Sequence, residues 1–347
     1  MRKKSWLVIA SILLACIASG LTTWVWLADP CVHYQISPHE SPPLAVFDSL
    51  GDATTSRACR YAATDDLGQG LDCLNVIETS TGVYHGVHHH FNGTSFNVHL
   101  VNSTDLITWH FVCVLAFEAS MPVIERDAAS NAYYVAHEQW QQANTTGPCW
   151  IKFRYYPTLD HLRNATTTKT YQTTRTLSDL EGTPTFYSIS AGGTEIRIGL
   201  HYNSENGLDR VATGVLHGLL SSNPSWTATP WVEYNRVLEC KWIQGHIGAR
   251  EVGLLWGRFY SLQEAQLRKD DWSTWRSFLY SWDDGGFWPL EIKTHGGSTA
   301  FSNPHFRVVS DPLNSSRTAI IVTHFVHAAG AAAGEAGPML FVKPVSP

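Results

Sequence analysis

Four histidines fall at His85 and at the run His88-His89-His90, a density that invites a metal-binding reading. On a strand alternate side chains face opposite sides, so His88 and His90 share one face and His85 and His89 the other. Two imidazoles without an identified carboxylate make a polar strand surface, so no metal ligand set is assigned. A second constellation is Gly248-Ala249-Arg250-Glu251, where Arg250 and Glu251 must point to opposite faces of an apolar run. Glu264, on the following run, is placed to pair with Arg250 across it. His137-Glu138 reads as structural.

The elements that position these residues belong to a chain of 347 residues with 14 Trp, 13 Tyr, 14 Phe and 26 Gly, and 16% charged side chains. Such a chain can bury a large core, which excludes disorder and a small disulfide knot. With 24 Lys and Arg against 30 Asp and Glu, it offers no cationic face for phosphate backbones, so nucleic acid is excluded as a partner. Residues 1–30 open with Met1-Arg2-Lys3-Lys4 followed by an uncharged apolar stretch from Trp6 to Ala28. This is the layout of a signal peptide or of a type II membrane anchor. Five Asn-x-Ser/Thr acceptors, at Asn92, Asn102, Asn144, Asn164 and Asn314, then point to the secretory pathway, with a secreted or anchored N-glycosylated product. Six further cysteines (Cys31, Cys59, Cys73, Cys113, Cys149 and Cys240) permit three disulfides of unspecified pairing.

Internal repetition carries the fold. The element x-Pro-x-apolar opens a strand-like run at Met121-Pro122, Thr183-Pro184 and Asn303-Pro304. The spacing predicts a further copy near residue 245, at Gly245-His246-Ile247-Gly248, and an earlier one at Leu74-Asn75-Val76-Ile77. Asp105-Leu106-Ile107-Thr108-Trp109 recurs as Asp271-Trp272-Ser273-Thr274-Trp275, and each is expected to join a third strand to a fourth. Alternating β-branched and aromatic runs with frequent Gly and Asn turns are the hairpin-meander pattern. The expectation is an all-β fold: a five-bladed β-propeller of four-stranded antiparallel blades over residues 72–347, after an N-terminal extension at 31–71. A pair of β-sandwiches would not produce the spacing.

Asp72 to Trp109, with an acid before an apolar strand, a Gly-Val-Tyr strand and the closing Ser103-to-Trp109 run, resembles the first blade of the five-bladed glycoside hydrolases. These are the arabinanase and β-xylosidase group and its invertase relatives. The resemblance implies carboxylates in the central funnel, one acting as base or nucleophile and one as proton donor. It matches the first to Asp72 and, through Leu180-Glu181-Gly182, the donor to Glu181. At the third opening Thr183 stands where the group places an acid, and Gln244-Gly245-His246 stands where its acid glutamate is expected. Arg250, His246 and His305 become substrate-orienting groups, and Trp256, with Trp140, Trp282 and Trp288, a face for sugar stacking. Two functions follow: a divergent glycosidase, or a non-catalytic glycan-binding or structural propeller. Carbohydrate is the expected partner in both, with the membrane as a second through the N-terminal segment. No cofactor is called for, although the channel near His246 or His305 leaves room for a structural calcium ion.

Overall fold

A computed structural model describes residues 41–142, 147–241 and 243–345. Its twenty strands form five four-stranded antiparallel sheets. Blade one holds β2 (Asp72–Ser80), β3 (Val83–Phe91), β4 (Phe96–Ser103) and β5 (His110–Ala116). Blade two holds β6 (Ala119–Arg126), β7 (Tyr133–Trp140), β8 (Cys149–Tyr156) and β9 (Lys169–Gln172). Blade three holds β10 (Glu181–Ile189), β11 (Glu195–Asn203), β12 (Asp209–His217) and β13 (Ser225–Pro230). Blade four holds β14 (Ile247–Leu255), β15 (Arg258–Gln266), β16 (Trp275–Ser281) and β17 (Phe287–Leu290). The last blade takes β18 (Phe301–Asp311), β19 (Asn314–Val326) and β20 (Gly337–Val345) from the C-terminal end, and β1 (Ala58–Arg60) from the N-terminal side.

β1 closes the ring. Ala58, Cys59 and Arg60 pair antiparallel with Val342, Phe341 and Leu340, so backbone hydrogen bonds join the two ends of the propeller. The end of the expected extension therefore belongs to a blade. Arg57 adds an ion pair to Asp311 at 2.5 Å. A short helix α1 (Leu44–Gly51) contributes Val46 and Leu50 to the apolar cluster between blades four and five.

Blades are twisted sheets with two apolar faces, so each seam must be filled. Five clusters do this. Phe153 meets Ile198 and Trp226 between blades two and three, Val87 meets Val135 between one and two, and Trp109 meets Ile321 between five and one. The seam between three and four holds fewer apolar strand residues, and helix α3 (Val232–Cys240) supplies Tyr234 and Leu238 to it. Between β8 and β9 lies a one-turn helix α2 (Leu159–Arg163).

Three sequence expectations are corrected. The fourth opening lies at Ile247 to Arg250, later than the proline spacing predicts, because Ala249 rather than a proline occupies the equivalent position. The two Asp-to-Trp runs are not equivalent: the first joins β4 to β5, whereas Asp271 to Trp275 joins β15 to β16, the second and third strands of its blade. What they share is turn chemistry, since Asp105 Oδ1 accepts the Ile107 and Thr108 N–H groups and Asp271 Oδ1 that of Ser273. Three disulfides do not form, because Cys59, Cys73, Cys113 and Cys149 are free thiols. Among the described residues no helix is long and apolar enough to cross a membrane. The expected leader or anchor at 1–30, Cys31 and the acceptor Asn144 lie outside the described residues. Asn92, Asn164 and Asn314 are exposed, and Asn102 is half-buried.

Candidate functional site

Each blade's first strand breaks register at the same place. Pairing with the second strand skips between Asp72 and Asn75, Ser120 and Val123, Gly182 and Thr185, Ile247 and Arg250, and Ser302 and His305. These are β-bulges, and Cys73, Met121, Thr183 and Asn303 within them have φ between 49° and 56°. A bulge leaves a backbone N–H without a ladder partner, and a buried orphan N–H costs about 1–3 kcal/mol.

The neighbouring blade supplies the acceptor. His89 on β3 takes the Met121 N–H on Nδ1 at 3.0 Å. Glu138 on β7 takes the Thr183 N–H on Oε1 at 2.7 Å and its hydroxyl at 2.9 Å, while Oε2 accepts Ser120 Oγ at 2.5 Å. Glu264 on β15 accepts the Ala249 N–H at 2.5 Å and the Asn303 N–H on its other oxygen. His201 on β11 reaches the Gly248 backbone. Second-strand polar side chains thus staple one blade to the next around the funnel mouth, the end of the channel where the inner strands begin.

Asp72 sits on this ring, at the first residue of β2. Its Oδ2 lies 3.0 Å from His89 Nε2 and its Oδ1 accepts Asn303 Nδ2 at 2.8 Å. Because His89 Nδ1 already accepts from Met121, Nε2 carries the proton and donates to Asp72. Burial alone would push the Asp72 carboxyl up, but the His89 ring, Asn303 and the Cys73 N–H hold it below the usual carboxylate range. Its side chain keeps 19% exposure, whereas Glu138, Glu181 and Glu264 are 7%, 0% and 3% exposed. Glu264 behaves oppositely: its dry surroundings, with some repulsion from Asp72, push it up to about 8 against its two N–H donors.

The other candidates disperse. Glu181 opens β10, but its Oε1 accepts the N–H groups of Thr176, Leu177 and Ser178 at 2.5, 2.5 and 3.3 Å, so it anchors that loop and shares no partner with Asp72. His246 is at the rim, half-buried, 2.9 Å from Asp209. His305 and Arg250 lie one bulge deeper. His305 pairs with Glu251 at 3.0 Å, beside Asn75, in the buried channel. Arg250 crosses to blade three, where Tyr187 OH and His201 Nε2 each lie 2.9 Å from it. It does not pair with Glu264. A side chain at Gly199 would collide with the Arg250 guanidinium and Tyr187, so glycine is required where they pass. Trp256 follows the last residue of β14 and is 38% exposed at the opposite end of its blade from the mouth. Trp140, at the end of β7, bonds Ser120 Oγ at 2.7 Å and is the tryptophan beside the mouth acids.

Asp72, Cys73 and His89 have donor atoms within 4.8 Å of one another, a geometry that suits a metal ion. The His89 Nε2 proton already engages Asp72, so that trio is satisfied as it stands.

No protein-family model matches the sequence, and no curated protein is similar to it. Solved structures are similar in fold. A thermostable family-43 glycoside hydrolase is 12% identical with a TM-score of 0.53, covering 83% of this chain and 96% of its own. The chain has the fold of the five-bladed glycoside hydrolases. An exo-1,5-α-L-arabinanase from a bovine ruminal metagenomic library is 9% identical at TM-score 0.50, covering 83% of this chain and 95% of its own. An α-L-arabinofuranosidase from Lactobacillus brevis is 7% identical at TM-score 0.50, covering 82% and 94%. The resemblance read from Asp72 to Trp109 therefore holds for the architecture of this hydrolase-like propeller.

Glu138, Glu264 and His89 are site residues that sequence reasoning underrated. Their signal was position: each stands on a second strand, opposite the opening of its own blade, which becomes legible once the bulges are aligned.

Proposed function

We propose that the protein binds carbohydrate at the funnel mouth, with Asp72 as the charged anchor for sugar hydroxyls and Trp140 as the adjacent aromatic face, and that it does so without turnover. The observation that carries this reading is the distribution of carboxylates. Asp72 is ionised and reachable by solvent, while Glu138, Glu181 and Glu264 are buried, each with at least one oxygen held by backbone N–H groups. Hydrolysis needs a second carboxyl facing the sugar to protonate the leaving oxygen. The hydrolase-like fold supports carbohydrate as the ligand class.

A glycan array of wild type and Asp72→Asn tests it. Loss of one charge-assisted hydrogen bond is expected to weaken binding about 10- to 100-fold in Asp72→Asn, with an unchanged circular dichroism spectrum. Absence of glycan binding by the wild type overturns the proposal.

The opposed proton affinities of Asp72 and Glu264 favour one second reading, a hydrolase with Asp72 as base and Glu264 as acid. Release of reducing sugar by the wild type, abolished in both Asp72→Asn and Glu264→Gln, establishes it in place of the binding reading.

A further inference from the structure

Away from the mouth, three clustered residues each carry a buried side-chain atom without a hydrogen-bond partner: Asp65 Oδ2, His88 Nε2 and His99 Nδ1. Donor atoms of the three residues lie within 4.8 Å of one another, and the residues are 5%, 0% and 3% exposed. A buried polar atom without a partner is costly, so three in one cluster of metal-ligating side chains call for a ligand that engages them together.

The surroundings orient each donor. His88 on β3 and His99 on β4 are directly opposed across the strand pair, with ring centroids 5.4 Å apart. His88 Nδ1 lies 3.3 Å from the His89 carbonyl and donates to it, which leaves the Nε2 lone pair facing the site. Asp65 spends its other oxygen, Oδ1, on the Leu67 and Gln69 N–H groups at 3.0 and 2.8 Å, so Oδ2 is fixed and free. Phe111 meets the His99 ring edge-on and shields it.

We infer that Asp65, His88 and His99 bind a divalent transition-metal cation of the zinc class. Two neutral imidazoles and one carboxylate are a nitrogen-rich donor set that suits zinc and disfavours calcium or magnesium. A tetrahedral zinc shell places donors about 3.3 Å apart, so a modest closing of the side chains completes the contact. The strand pairing that opposes the histidines belongs to blade one. Asp65 belongs to the segment linking the closing strand β1 to β2, whose Ala63 N–H donates to Pro338 O on β20 at 2.8 Å. The cation would tie that link to the first blade, at the join of the ring.

The test is zinc equilibration of the full chain after dialysis against a chelator, followed by metal analysis and thermal unfolding. One zinc per chain and a zinc-dependent rise in Tm are expected. Cobalt(II) substitution should give the visible absorption of a four-coordinate site. Asp65→Asn and His99→Gln keep side-chain size and are expected to hold zinc at least 10-fold more weakly while remaining folded. A wild type that retains no zinc and shows no shift in Tm overturns the assignment and leaves a bridging water as the occupant. Zinc retained equally by both variants overturns it too, and places the ion elsewhere.

Discussion

Mild acidification is expected to destabilise the protein steeply between pH 7 and pH 5. His85, His137, His201 and His324 are buried, and desolvation lowers His85 to about 4 and the other three to about 3. Arg163, Arg154, Arg250 and His305 respectively add to the effect on each. In the unfolded chain a histidine titrates near 6.5, so below that pH the unfolded state binds protons that the native state refuses. Stability from these groups is present above 6.5 and is lost as pH falls. Each ring contributes about 1.8 kcal/mol of loss from pH 7 to pH 5, or roughly 7 kcal/mol for the four.

Glu264 works the other way. Its folded value near 8 stands above the ordinary glutamate value of 4.5, so its native form is protonated over a range where the unfolded carboxyl is not. Stability from this group is present below 4.5 and is lost as pH rises toward 8, so moving from pH 7 to 5 returns about 2–3 kcal/mol. The histidines win by about 5 kcal/mol, against a total stability of about 5–15 kcal/mol for a typical domain. A drop in Tm of roughly 5–10 °C from pH 7 to pH 5 is expected in thermal melts followed by circular dichroism. A Tm that is flat or rises over that interval contradicts the account. His324, with neither ring nitrogen bonded, provides the internal control: His324→Leu should raise Tm at pH 5 more than at pH 7.

Gly248→Ala should be among the most damaging single substitutions in the ring. A Cβ at 248 lands on the Glu264 carboxylate. Glu264 has no room to retreat, because Oε1 accepts the Ala249 N–H and Oε2 the Asn303 N–H in a site 3% exposed. The methyl must displace the carboxylate and orphan two buried N–H groups, at about 1–3 kcal/mol each, beyond about 1–3 kcal/mol of overpacking. A loss of about 4 kcal/mol or more follows, measured by urea unfolding. A loss of 1 kcal/mol or less would mean that the seam between blades four and five does not depend on this contact. In a Glu264→Ala background the same change should cost much less, since the group it collides with is gone, and a double-mutant cycle reads that coupling directly.

The architecture was legible because its signals are local. Prolines at 122, 184 and 304 mark bulges in three inner strands, and turns and alternation mark the hairpins between them. The fourth opening was misplaced because Ala249 is an ordinary residue doing what a proline does elsewhere: the bulge is set by pairing, and composition there is silent. Closure by β1 was equally invisible, since three residues of unremarkable sequence become a strand only when β20 offers an edge.

The candidate site divides along the same line. Sequence alone determined the all-β blade count and a carboxylate at Asp72 at the start of an inner strand, since both follow from spacing and pattern within some tens of residues. Which acids stay available was decided by tertiary structure, because solvation and hydrogen bonding depend on partners far along the chain. Asn303, 231 residues away, holds Asp72. Thr183, 45 residues away, occupies Glu138, and the loop at 176–178 holds Glu181 by its Oε1. The histidine run shows the same physics: strand alternation split its rings correctly, yet Asp65 and His99 reached the neighbourhood of His88 only through folding.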